Sequence, residues 1–391
     1  MTASAQRIAI NIGSGYVPGL DVVVAGATLA ANELGVELVG IRDGYDGLLY
    51  PERYPGGGMV SLSPEILEAD GHGGSLLGTA ARTDPFNVRT LNDENSVEEV
   101  DRSGDVLEAL NAAGIDGVIS LVGGSTVTGL HALSVAFKLH RQGLRTVCVP
   151  KSVENEISSV PQAFGYNSVL SHTAETLERI RAAALDIGRL AVVEVPGQHS
   201  GWLALQSGLA AVADAILLPE IPYDLAKVAD TLTRHEESGR RPALVVVAEG
   251  ARPVNLPTTA GPDTDGMRAS LTPNADPELG EGEHTIDRAG AAAKSVGVAL
   301  QRLTNRDILP LSLGDLVRGG LPTAVDRQLG LAYGAGAVRA LHGGEDGVMV
   351  MFDSPDLKTI PMVDALKRVR TVPAESELMQ IARGLGIAFG D

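Results

Sequence analysis

The chain has 391 residues, 44% of them hydrophobic but only 3% aromatic, and a formal net charge of −18. So large a negative charge argues against nucleic acid or an anionic membrane as partner, and any phosphate ligand would need a local cationic pocket. The length suggests about two or three domains, a lone cysteine (Cys148) excludes an intrachain disulfide framework, and no Cys/His cluster has zinc spacing.

The first buried strand is predicted over the apolar run Arg7–Ile12. Gly13-Ser14-Gly15-Tyr16-Val17-Pro18-Gly19 follows and opens a helix over Asp21–Leu34. Glycines there let the backbone approach a phosphate, and the helix start offers unpaired N–H groups. The spacing is one residue too long for the dinucleotide fingerprint, and no Walker lysine follows. After a strand over Glu37–Ile41, the stretch Tyr50–Asp70, with Pro51, Pro55, Gly56–Gly58 and Pro64, reads as an irregular surface excursion. Gly73–Arg82 is a second Gly/Ser loop, ending in a cation. A strand over Gly117–Val122 leads into a third, beginning Gly123-Gly124-Ser125, and then a helix over Thr128–Gln142.

The strand Thr146–Val149, with Cys148 as a small buried hydrophobe, ends in Pro150-Lys151-Ser152-Val153-Glu154-Asn155-Glu156. Opposed charges of this kind suit phosphoryl transfer, which needs cations on the phosphate and a carboxylate on the attacking hydroxyl. Strand-end loops are also where open α/β sheets keep their active sites. From this segment alone, a solvated polar loop is an equal alternative.

Helices over Ser171–Asp186, Gly201–Ala213, Leu225–Ser238, Arg288–Thr304 and Thr323–Leu341 then alternate with strands over Leu190–Val195, Ala215–Leu218, Ala243–Val247 and Val348–Phe352. His199, in the turn Val195–Gly201, reads either as a general base or as a residue that merely caps the helix. Glu249 ends one strand, Asp315 and Arg318 lie in a Gly-rich turn, and Arg252–Glu283 reads as a long mobile loop. The alternation predicts an α/β fold with mainly parallel sheets and helices on both faces. Glycine loops at successive strand ends, with Lys151–Glu156, predict one phosphate-lined cleft. No apolar run reaches about 18 residues and the start of the chain lacks a signal-peptide core, so a soluble cytoplasmic protein is expected.

The order and wording of these segments resemble the phosphofructokinase family over nearly the whole chain. The first loop looks like its Gly-Gly-Asp-x-Pro-Gly-Leu-Asn segment, and Asp43–Leu48 is similar to its Asp-Gly-Tyr-x-Gly-Leu. Gly74–Arg82 resembles Gly-Thr-x-Leu-Gly-Ser-x-Arg, with one extra residue before the arginine. Pro150–Glu156 looks like Pro-Lys-Thr-Ile-Asp-Asn-Asp, Arg189–Gly201 like the strand leading into Met-Gly-Arg-x-x-Gly, and Leu313–Gly320 like Leu-Gly-His-x-Gln-Arg-Gly-Gly.

The resemblance implies two three-layer α/β lobes with a cleft between them. A donor-phosphate and catalytic lobe would take residues 1–166 and 317–366, and a substrate lobe 167–316 and 367–391. It implies phosphoryl transfer to the 1-hydroxyl of fructose 6-phosphate from ATP or pyrophosphate with Mg2+, in a homo-oligomer, dimer or tetramer. By position, Glu154 stands where the family's aspartate takes the hydroxyl proton, with Glu156 as the second carboxylate of that segment and Ser152 on the substrate side. Gly15 and Arg82 would hold the transferring phosphate, with Gly124 and Ser125 lining the donor loop. Lys151 matches the lysine typical of pyrophosphate users. Arg318 and Arg189 match arginines on the sugar 6-phosphate, Arg189 reaching across from a neighbouring subunit, and Glu249 matches a carboxylate on sugar hydroxyls.

The departures are specific. Ser125 replaces the metal-site aspartate, Gln198 an arginine, Asp315 the sugar-phosphate histidine, Tyr16 the first-loop aspartate, and both catalytic aspartates are glutamates. Losing a charged hydrogen-bond partner costs about 1.5–3 kcal/mol, roughly one to two decades in rate or affinity. A carboxylate such as Asp315 facing a sugar phosphate would repel it. The expectation is therefore a phosphotransferase acting on a sugar or sugar phosphate through a remodelled acceptor site. The alternative is a catalytically impaired homologue that binds a small phosphorylated metabolite or partners an active paralogue.

Overall fold

A computed structural model describes residues 5–13, 15–65, 75–79, 84–91, 96–123, 131–254 and 290–391. The chain divides into two compact units, Met1–Ser171 with Arg318–Arg370, and His172–Val317 with Thr371–Asp391.

In chain order the strands are β1 (Arg7–Ile12), β2 (Glu37–Ile41), β3 (Met59–Leu62), β4 (Val88–Leu91), β5 (Val97–Val100), β6 (Gly117–Val122), β7 (Thr146–Pro150), β8 (Leu190–Val195), β9 (Ala215–Leu217), β10 (Leu244–Ala248), β11 (Ile308–Ser312), β12 (Val348–Asp353) and β13 (Asp356–Pro361). The first unit is built on a seven-stranded sheet ordered β13-β12-β7-β6-β1-β2-β3. Its five inner strands are parallel, and only the edges β3 and β13 pair antiparallel. Because β1 has β2 on one side and β6 on the other, the direction of strand succession reverses between β1 and β6. That reversal opens a crevice at the carboxyl ends of the two strands, where ligands of open sheets collect. The loop after β1 and the turn after β6 both start there, and the Gly13 N–H donates to the Leu121 carbonyl at 2.9 Å.

The second unit has a four-stranded sheet, β11-β8-β10-β9, parallel throughout. β6, β8 and β10 are buried along their whole length, which is why they are near-continuous apolar runs and not alternating ones. Mixed and mostly parallel sheets flanked by helices make this an α/β fold, as the alternation predicts.

The structure differs from the sequence reading in places. The Tyr50–Asp70 excursion contains a 3-10 turn at Pro51–Arg53 and the edge strand β3. β11 was hidden by Pro310, which an edge strand tolerates. The helix predicted from Ser171 begins at Tyr166, and the one predicted to Ala213 ends at Ala210. Most of the loop Arg252–Glu283 lies outside the described residues. No helix among the described residues is long and apolar enough to cross a membrane.

Candidate functional site

Each unit carries its own cluster at the carboxyl ends of its strands. In the first unit the cluster starts where β7 ends. The Lys151 N–H donates to the Val122 carbonyl at 2.9 Å, so the turn after β7 lies against the end of β6. Gly123 makes that approach possible: its φ is +99° and a Cβ there would sit 2.4 Å from the Lys151 carbonyl oxygen.

The Lys151 side chain is fully buried. Its ammonium donates to the Gly15 carbonyl at 2.6 Å. Burial, then the Arg318 guanidinium nearby, push its pKa down to about 7, and Glu156 opposes them. Arg318 donates to the neighbouring Tyr16 carbonyl at 3.4 Å. Two cations from distant segments thus converge on one loop, which concentrates positive charge in a protein that is strongly acidic as a whole.

Next along the turn, the Ser152 hydroxyl accepts from the Glu154 N–H at 3.0 Å and the Asn155 N–H at 2.8 Å. The same hydroxyl donates to the Glu156 carboxylate. A serine that satisfies two backbone donors in this way stabilises a tight turn. Asn155 takes a left-handed φ of +55°, a region asparagine tolerates better than most residues, and its side-chain carbonyl accepts from the Ala163 N–H at 3.1 Å. Glu154 and Glu156 are 4% and 3% exposed, so neither carboxylate faces bulk solvent. Arg370 closes the turn from outside. Its N–H donates to the Glu156 carbonyl at 2.7 Å and its guanidinium to the Asn155 carbonyl at 3.3 Å.

The second unit's cluster lies beyond β8 and β10. Gln198 and His199 follow β8, and Glu249 follows β10, its N–H donating to the Val195 carbonyl at 3.1 Å. The His199 imidazole is held below its ordinary pKa by burial and then by Arg252.

Lys151, Ser152, Glu154, Glu156, Gly15 and Arg318 therefore belong to one cluster in the first unit, while Gln198 and Glu249 belong to the other. Arg82, Gly124 and Ser125 lie outside the described residues. Asp315 is exposed on a 3-10 turn. Arg189 pairs with Asp307 at 2.7 Å at the opposite end of β8 from Gln198, about 20 Å away along a six-residue strand. Within one chain it does not join the Gln198 cluster. Arg370 and Arg252 were missed in the sequence. No motif marks either, and the only hint was that Arg370 ends a basic run, Lys367-Arg368-Val369-Arg370. Among the described residues, no group of three or more His, Cys, Asp or Glu side chains converges to hold a metal.

A model of the phosphofructokinase family matches residues 7–341. An ATP-dependent 6-phosphofructokinase of Chloroflexus aurantiacus is 33% identical over 391 residues, covering 100% of this chain and 99% of its own. ATP-dependent 6-phosphofructokinase 2 of Streptomyces coelicolor is 32% identical, over 95% of this chain and 97% of its own. Among solved structures, phosphofructokinase from Saccharomyces cerevisiae superposes with a TM-score of 0.68 at 26% identity, over 93% of this chain but 45% of that one. A pyrophosphate-dependent phosphofructokinase from Nitrosospira multiformis superposes with a TM-score of 0.70 over 99% of this chain and 93% of its own, at 17% identity, a likeness of fold alone.

Proposed function

The chain belongs to the phosphofructokinase family, and from that footing we propose that it moves a terminal phosphoryl group to a hydroxyl of a sugar or sugar phosphate through a remodelled acceptor site. The observation that carries this reading is the buried Lys151–Glu156 turn, packed on the Gly15 loop beside Arg318. It sets cations against a loop that approaches a phosphate and keeps carboxylates out of water next to them.

In this mechanism the Glu154 carboxylate takes the proton of the acceptor hydroxyl as its oxygen attacks the terminal phosphorus. The bond from that phosphorus to the donor's bridging oxygen breaks, and Lys151 and Arg318 offset the negative charge on the phosphates. Ser152 and Glu156 hold the turn in shape. Arg82, Gly124 and Ser125 complete the donor loop on this reading. Glu249 and Gln198 take acceptor hydroxyls, while Asp315, in place of a histidine, disfavours a phosphate at its own position. Mg2+, implied by the resemblance, neutralises donor phosphates when bound. Ser125, which replaces the metal-site aspartate, lies outside the described residues, and no step here depends on the ion. The enzyme would work in the cytoplasm as a homo-oligomer, with Arg189 serving a neighbouring copy.

Full-length relatives named as ATP-dependent support ATP as the donor. Pyrophosphate is a second reading, favoured by the lysine at position 151.

The test is ³¹P NMR of purified protein with Mg2+, either donor, and a panel of sugars and sugar phosphates. Acceptor-dependent transfer is expected. Glu154→Gln should lower it about 10²–10⁴-fold, the usual contribution of a positioned base, while donor-induced thermal stabilisation persists. Full turnover in that variant would sink the assignment. Stabilisation without turnover in the unaltered protein would favour the impaired-homologue alternative.

A further inference from the structure

The Lys151–Glu156 turn is held from two sides. On the inner side, the Ser152 N–H donates to the Phe164 carbonyl at 3.0 Å and the Phe164 N–H to the Pro150 carbonyl at 3.0 Å. The Asn155 side chain adds its bond to Ala163, and the Ser152 hydroxyl takes the Glu154 and Asn155 N–H groups. Side-chain oxygens thus satisfy the backbone donors of the tight turn. The outer side belongs to the chain that returns after the helix Met362–Leu366. Val369 pairs antiparallel with Ile157. Arg370 then directs its main-chain N–H at the Glu156 carbonyl and its guanidinium at the Asn155 carbonyl.

Docking of that segment does not by itself call for an arginine. The main-chain N–H already fastens it to the turn at 2.7 Å, and any residue but proline would supply that bond. The guanidinium is half-buried, and burial holds its pKa below the ordinary value, opposed by the nearby Tyr166 phenol. What it adds is a second grip, 3.3 Å long, on the peptide unit that joins Asn155 to Glu156. The tilt of that peptide passes along a short relay. The Glu156 carboxylate accepts from the Ser152 hydroxyl, and the same hydroxyl accepts from the Glu154 N–H. A change at the Asn155 carbonyl therefore reaches the residue that carries the proposed base.

We propose that Arg370 is a positioning residue for phosphoryl transfer, holding the Asn155–Glu156 peptide so that the Glu154 carboxylate is aimed at the acceptor hydroxyl. The inference rests on the phosphotransferase reading, which makes Glu154 the base. A carboxylate misplaced by about 1 Å loses on the order of 10²-fold in rate, with no contact to either ligand removed. A lysine offers a point charge in place of a planar fork, so it restores the grip only in part.

The test compares Arg370→Met, which keeps an apolar stem, with Arg370→Lys in the full-length protein. In Arg370→Met, kcat should fall about 10²-fold with KM for donor and acceptor within about twofold, the mark of an interaction that matters in the transition state. Arg370→Lys should recover about tenfold of that loss. Amide exchange in Arg370→Met should quicken at Glu154–Glu156 and stay unchanged in β6 and β7. Full kcat in Arg370→Met, with transfer still lost in Glu154→Gln, overturns this inference and leaves the catalytic reading standing. Loss of kcat and KM together, with exchange quickened across the whole first unit, shows a merely structural arginine and overturns it too. No transfer by the unaltered protein, or full transfer by Glu154→Gln, sinks the catalytic reading and the positioning role with it.

Discussion

Lys151 is the residue at which folding and the proposed chemistry pull in opposite directions. A lysine with no exposed side-chain surface is disfavoured by desolvation, and its hydrogen bond to Gly15 only partly offsets that. In the unfolded chain the ammonium keeps its proton up to the ordinary value of 10.5, but in the folded protein only up to about 7. Below pH 7 both states are protonated and the full penalty of burying the charge is present. Between about pH 7 and 10.5 the folded state releases its proton and the penalty fades, so native stability rises with pH across that window. Lys151→Met lacks this dependence. It should exceed the unaltered protein in stability by on the order of 2–4 kcal/mol near pH 6, with most of the difference gone near pH 10. Urea unfolding at the two pH values checks this, and a difference that does not change with pH would mean the lysine is solvated. Retention of so unfavourable a group is the pattern expected when a bound phosphate returns the stabilisation.

At the scale of elements, the Lys151–Glu156 turn holds its shape through one asparagine in a left-handed conformation and one serine hydroxyl. Asn155→Ala removes the side-chain bond to Ala163 and forces an alanine to a φ of +55°. A loss of about 2 kcal/mol is expected, of which Asn155→Gly should recover the conformational part, on the order of 1 kcal/mol. Equal losses in the two variants, measured by denaturant unfolding, would show that the backbone conformation contributes nothing. Such elements differed in how readily the sequence revealed them. β6, β8 and β10 were legible because strands buried on both faces must be uniformly apolar. β3, β11 and β13 were not, since their exposed edge positions carry polar residues and proline. The start of the helix Tyr166–Ile187 was hidden for another reason. Its early N–H groups are satisfied by Asp326, which accepts from Gly165 at 3.1 Å and Ser168 at 2.6 Å. A cap supplied from 158 residues away leaves no local signal. The candidate site was uneven in the same way. Lys151, Ser152, Glu154 and Glu156 stand in one short motif, whereas Arg252 and Arg370 reach their places only through tertiary contacts.

At the scale of the whole molecule, chain order and compact units do not coincide. The boundaries fall at Ser171/His172, Val317/Arg318 and Arg370/Thr371, so the last segment of the chain returns to the second unit. That return is made by backbone pairing. The Ile216 N–H donates to the Ala388 carbonyl at 2.8 Å and the Ala388 N–H to the Asp214 carbonyl at 3.1 Å, extending the edge of β9. Asp214 is the hub beneath it, its carboxylate accepting from the Ala243 and Leu244 N–H groups and pairing with Arg240 and His235. Met379, Ile387 and Phe389, all buried, complete the core on that side. Emptying the Phe389 site should therefore weaken the second unit specifically. Phe389→Ala is expected to destabilise by about 3–5 kcal/mol, through lost burial and the cavity left behind. Amide exchange should quicken at β8, β9, β10 and in the segment Thr371–Asp391, because local opening follows the stability of the unit to which an amide belongs. Amides of β1, β6 and β7 should keep their protection. Uniform loss across both sheets would show instead that the chain opens as one cooperative whole, and that its three crossings tie the units' stabilities together.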